Sequence, residues 1–156
     1  MWAESGWERP TDCPYNLVAT STDLVRHVNQ VVEGALALAR VAAESLGMAV
    51  DEDVIVAAGT VHDASKLVEY EPGPHGPQVS ELGRRLVHAE YAARAAAEEG
   101  LPPDVVAIVV NHTTASPEVP STLEALCVYY ADMCAADLAR LRAGATLHVA
   151  THKHRS

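Results

Sequence analysis

Val61-His62-Asp63-Ala64-Ser65-Lys66 closes the apolar run Val54-Ile55-Val56-Ala57-Ala58 with an adjacent imidazole and carboxylate, followed within one helical turn by a lysine. Side chains so placed can both turn toward one cation, and the lysine lies close enough to hold an anion beside it. A His-Asp dipeptide identifies nothing alone, so its meaning depends on the polar groups elsewhere in the chain.

Those groups sit on helical stripes. From Ser21 or Thr22 as N-cap, Leu24, Val28, Val31, Ala35, Leu38 and Ala42 keep helical spacing as far as Gly47, and His27 lies on or beside that apolar face. Asp51 to Asp53 open a second helix that carries His62 and Asp63 and runs to about Val68. A third is expected from about Glu81 to Glu99, with His88 on its alanine-rich face. A fourth, Asp104 to His112, places His112 at its inner end beyond Ile108 and Val109. The fifth runs from a capping box at Ser121 and Glu124 to about Ala143, and holds Asp132 between Val128 and Ala136. No period-two alternation argues for a sheet. The fold class is therefore all-α, a single compact array of about five main helices, with an irregular segment at 1–20, the helical domain at 21–143 and a tail at 144–156. The Pro/Gly-rich stretch Glu71 to Pro77 reads as a loop able to act as a lid, with His75 a solvent-facing histidine. Trp2, Trp7 and Tyr15 are expected to anchor the N-terminal segment.

Each helix thus points one metal-competent group inward: His27, His62 with Asp63, His88, His112 and Asp132. A buried carboxylate without a partner costs several kcal/mol, and a lone buried imidazole is also penalised. A shared metal satisfies them all. His148, His152 and His154 fall in the weakly patterned tail and read as exposed.

Charge and composition exclude other classes. The 156 residues carry 11 basic and 21 acidic side chains, a formal charge of −10, and aromatic content is 4% with no Phe. Clustered cations and stacking platforms for a nucleic-acid polymer are missing. A small anionic substrate remains compatible where metal and local basic groups reverse the field inside a pocket. Apolar residues, 49% of the chain, are interrupted everywhere by charge. No window approaches the roughly 18 apolar residues of a membrane helix. The start reads as no signal peptide, and a cytoplasmic location is expected. Cys127 and Cys134, seven apart on one helix, are roughly 10 Å from each other, too far for a disulfide, and Cys13 stands alone.

The order His27, His62-Asp63, His88, His112, Asp132 resembles the H…HD…H…H…D pattern of the HD-domain superfamily of metal-dependent hydrolases, across residues 21–143. The resemblance implies that His27, His62, Asp63 and Asp132 hold one metal, that His88 and His112 hold a second, and that Asp63 bridges them. His62-Asp63-Ala64-Ser65-Lys66 looks like the HDxxK form of HD phosphohydrolases, which implies that Lys66 lies near substrate phosphate. Asn111-His112-Thr113-Thr114, with Leu123-Glu124 and Ala131-Asp132, is similar to small HD proteins that cleave dinucleoside tetraphosphates. The implied activity is hydrolysis of a small phosphoester or nucleotide by a water activated between two metals, with Asp63 and Lys66 in the chemistry and Lys66, Arg84 and Arg85 available to the substrate. Mixed imidazole and carboxylate ligands suit iron, manganese, cobalt or zinc. Iron is expected first and manganese second. The alternative on the same ligands is a mixed-valent di-iron oxygenase that cleaves a C–P or related C–X bond with O₂.

Overall fold

The structure, a computed structural model, describes residues 1–116 and 118–152. Seven α-helices are present among them, besides short 3-10 turns at Trp2–Glu4 and Pro10–Asp12: α1 (Leu24–Leu46), α2 (Glu52–Val61), α3 (Lys66–Glu69), α4 (His88–Glu98), α5 (Pro103–Val110), α6 (Leu123–Arg142) and α7 (His148–His152). The fold is all-α apart from one antiparallel hairpin, β1 (Tyr70–Gly73) with β2 (Gly76–Val79). No helix of the described residues is long and apolar enough to cross a membrane.

The core follows from small residues on the long helices. α1 packs along α6 and α2, α5 packs on α4, and α2 also meets α5 and α6. Leu24, His27, Val31, Ala35 and Ala39 form the buried stripe of α1. Ala131, Asp132, Ala135 and Ala136 lie on that of α6. A Cβ on Gly34 would stand 3.3 Å from the Ala131 side chain. The two helices therefore cross closely, and the approach brings His27 of one near Asp132 of the other.

Caps fix where the helices begin. Asp23, one residue beyond the expected cap, accepts from the Arg26 amide (2.9 Å). Asp51 accepts from the Asp53 and Val54 amides. At α6 the cap is Thr122, which accepts from the Ala125 amide. The expected Ser121–Glu124 box does not form, because the Glu124 carboxylate accepts instead from the Asp51 amide (3.0 Å) and ties the start of α6 to that of α2.

Three stretches depart from the sequence reading. The second helix does not run unbroken to Val68: i→i+3 bonds from Val61 to Ala64 and from Asp63 to Lys66 tighten the backbone between α2 and α3, where the adjacent His62 and Asp63 both face inward. The Pro/Gly stretch is a hairpin. Pro72 opposes Pro77 and Gly73 opposes Gly76, positions that tolerate proline because the pair has no further neighbours. Third, residues 81–87 are not helical with α4. Ser80 turns the chain, accepting from the Gly83 amide through its hydroxyl, and a Cβ on Gly83 would meet the Glu69 carbonyl oxygen. That packing starts α4 on a new axis at His88.

The N-terminal segment is folded against the helices. Trp7 and Tyr15 are buried, and Trp7 Nε1–H donates to the Tyr70 carbonyl (3.1 Å). Trp2 is 46% exposed and anchors little. Cys13 and Cys127 are buried free thiols and Cys134 is exposed.

Candidate metal centre

Six side chains from five helices or their ends converge. His27 comes from the first turn of α1, His62 caps α2, Asp63 follows it, His88 opens α4, His112 lies just past α5 and Asp132 sits mid-α6. His27, His62, Asp63, His112 and Asp132 are buried, and His88 is partly open. Two groups of donor atoms result, His27/His62/Asp63 and Asp63/His88/His112.

Asp63 belongs to both, one oxygen to each side. Its Oδ2 is 3.3 Å from His27 Nε2 and 3.7 Å from His62 Nε2. Its Oδ1 contacts His88 Nε2 (2.5 Å) and lies 3.7 Å from His112 Nε2. Asp132 joins the first group, with Oδ1 3.2 Å from His27 Nε2 and 3.9 Å from His62 Nε2. Transition metals take nitrogen and oxygen donors at about 2.0–2.2 Å, which puts neighbouring donors on one ion roughly 3–3.5 Å apart.

The tautomers suit ligation. His62 Nδ1–H donates to the Gly59 carbonyl (2.7 Å) and His112 Nδ1–H to that of Val109 (2.6 Å), which leaves each Nε2 lone pair pointing at Asp63. The Nε2 atoms of His27 and His62 are buried with no hydrogen-bond partner among the described residues. Orphaned buried nitrogens beside carboxylate oxygens fit a cation that the six residues could hold.

Electrostatics bias where protons sit in the metal-free state. Burial opposes charge on His27, but Asp132 and Asp63 outweigh it and push the imidazole up to about 9. For His62 burial wins, and its pKa is lowered. Burial also opposes charge on Asp63, yet His62, His88 and Lys66 hold the carboxyl well below the usual range. The protonated His27 therefore stabilises the metal-free fold fully below about pH 6.5, and that contribution is lost as pH rises through about 9. A metal must displace this proton, so affinity should climb with pH up to about 9. Zinc or manganese added to metal-free protein at pH 7.5 in dilute buffer should release at least one proton per chain, from His27, with His88, where burial opposes charge but Asp63 and Glu69 raise the pKa, able to add to it. Zero release with full metal uptake would contradict this assignment.

Further residues complete the surroundings. Lys66 Nζ pairs with Glu69 Oε2 (3.1 Å) and stands over the Tyr70 ring. Burial opposes its charge, but Asp63, Tyr70 and Glu69 hold the ammonium above the ordinary lysine range. Glu69 Oε2 is also 3.1 Å from His88 Nδ1, so Lys66 is one carboxylate away from the second group. Tyr15 stacks on His27 with ring centroids 4.2 Å apart, and burial pushes its phenol up to about 12, which keeps it neutral. Glu69, Ser65 and Tyr15 were not anticipated as site residues. Glu69 lies three residues after Lys66, an i,i+3 spacing that could have flagged the pair.

Arg84 and Arg85 lie outside the two groups of donors. Both are exposed on the 81–85 turn, and Arg85 pairs with Glu81 (3.0 Å). Their expected position assumed that they shared a helix with His88. His75 is exposed at the hairpin turn. His148 is half-buried rather than exposed, and its amide donates to Asp137. His154 and the side chain of His152 lie outside the described residues.

The family model described as the HD domain matches residues 27–137. A dihydroneopterin 2',3'-cyclic phosphate phosphodiesterase of Methanocaldococcus jannaschii is 32% identical over 110 residues, 70% of this chain and 44% of that protein. The match thus spans less than half the length of that relative. No solved structure gives a significant match.

Proposed function

The chain belongs to the HD-domain family, and from that premise we propose that it is a metal-dependent phosphohydrolase acting on a small phosphoester or nucleotide at a dinuclear site. The observation that carries this reading is the two-sided placement of Asp63, Oδ2 toward His27 and His62 and Oδ1 toward His88 and His112. His27, His62, Asp63 and Asp132 would hold one ion, and Asp63, His88 and His112 the other. Iron is the first candidate and manganese the second. Such ions, when bound, supply Lewis acidity and a nucleophile active at neutral pH.

The remaining roles belong to side chains. The first group is closed off by α1, α6 and Tyr15, whereas His88, Lys66 and Glu69 are each partly exposed. Substrate would therefore approach from the α3–α4 side. There the Lys66 ammonium, held charged, can take a non-bridging phosphate oxygen in place of or together with Glu69. The matched relative's name refers to a cyclic phosphodiester, which makes 2',3'-cyclic nucleotides the first substrates to try, with dinucleoside polyphosphates and monoesters beside them.

The test is anaerobic hydrolysis of that panel with iron or manganese supplied. Turnover without oxygen is expected. Lys66→Ala should lower it by roughly 100-fold, comparable to the loss of one donor to a developing anion, while bound metal is retained. No hydrolysis on any substrate, together with O₂ uptake dependent on an organophosphonate, would assign the site to oxygenase chemistry instead.

A further inference from the structure

The three histidines whose Nε2 atoms face Asp63 from helix ends are not held alike. His62 and His112 each donate Nδ1–H to a main-chain carbonyl three residues earlier, Gly59 and Val109, inside rigid helical turns. His88 has no such anchor. It is the first residue of α4, after the non-helical Val87, and its Nδ1 meets side chains: Ser65 Oγ at 2.6 Å and Glu69 Oε2 at 3.1 Å. Ser65 is fully buried, and its backbone lies in the tight turn between α2 and α3. Glu69 ends α3, where its carbonyl also accepts from the Ser80 amide. Both therefore stand on fixed backbone that comes from the same tight segment as Asp63.

We propose that Ser65 and Glu69 are the positioning residues of His88: Ser65 accepts its Nδ1–H and the Glu69 carboxylate stands against the same nitrogen, which leaves Nε2 as the nitrogen that faces Asp63, and together they set the affinity of the second metal site separately from the first. The proposal rests on the dinuclear reading above. Its physical basis is that an imidazole ligand is oriented and made more basic by the acceptor on its other nitrogen, and that loss of such a partner commonly lowers metal affinity 10- to 100-fold. The buried Ser65 hydroxyl has no role in helix capping, since no side-chain cap bond forms at α3. Glu69 likewise spends a partly buried charge between His88 and Lys66.

Calorimetric titration of the metal-free full chain with Mn²⁺ tests this. Wild type should take two equivalents. Ser65→Ala, which changes no charge, should weaken the second equivalent by about 10-fold, and Ser65→Ala with Glu69→Gln by up to about 100-fold, with the first equivalent unchanged within about twofold. In the zinc-loaded protein the His88 Nδ1 proton, followed by ¹⁵N-detected imidazole signals, should be slow to exchange in wild type and fast in the double variant. If wild type binds two equivalents and the variants bind both as tightly, the positioning role is wrong and the dinuclear reading stands. Equal weakening of both equivalents would also overturn it, since that marks a general loss of structure. A wild type that binds fewer than two would overturn both.

Discussion

Asp63→Ala is expected to abolish turnover and to strip the chain of most of its metal. No other side chain among the described residues belongs to both groups of donors, and its two oxygens are divided between them. Its removal leaves four imidazoles and Lys66 around a space with only Asp132 and Glu69 to balance the charge of two cations. Loss of a partner to a ligand costs 10- to 100-fold in affinity, and loss of a ligand shared by two ions should exceed that on both. Asp63→Asn, which keeps the shape and removes the charge, should fail similarly. His75→Ala at the exposed hairpin turn should behave as wild type. Metal analysis and hydrolysis assays on the same preparations check this, and an Asp63→Ala protein with full metal and turnover would place the site elsewhere.

Removing metal from wild type should have the second large effect, on stability. His27, His62 and Asp132 are buried where α1, α2 and α6 meet, and the Nε2 atoms of His27 and His62 lack hydrogen-bond partners among the described residues. A ligand that binds only the folded chain stabilises it by roughly 4 kcal/mol at a thousandfold excess over its Kd. For a chain of this size that corresponds to a melting shift on the order of 10 °C. Fluorescence melts with and without chelator at pH 8 should show it. The difference should shrink toward pH 5, where protons hold the imidazoles against the metal and the His27–carboxylate contacts partly replace it. Superimposable melts at every pH would contradict a structural contribution from the ions.

Much of this convergence could be read from the chain because the inward-facing histidines and aspartates lie in phase with apolar stripes. His27 precedes Val31 by four, and Asp132 follows Val128 by four, so helical periodicity alone faces them inward. The adjacent His62 and Asp63 were also legible, although their shared inward direction depends on the tightened turn before α3, which propensity does not reveal. What failed was local and had a tertiary cause. Residues 81–87 have helical composition, but the contact of Gly83 with the Glu69 carbonyl and the Ser80 turn impose another path, which carries Arg84 and Arg85 to the surface. The hairpin was hidden because its prolines and glycines are loop signals, tolerated here in a two-stranded pair. Ser65 and Tyr15 carry no motif at all, and their contacts to His88 and His27 exist only once distant segments meet.

In the proposed centre, six residues would hold two ions that share Asp63. Elemental analysis of protein expressed with iron and manganese supplied should find about two transition-metal ions per chain in wild type, and few or none in Asp63→Ala. A wild-type content near zero, in a protein whose melting is unchanged by chelator, would contradict it.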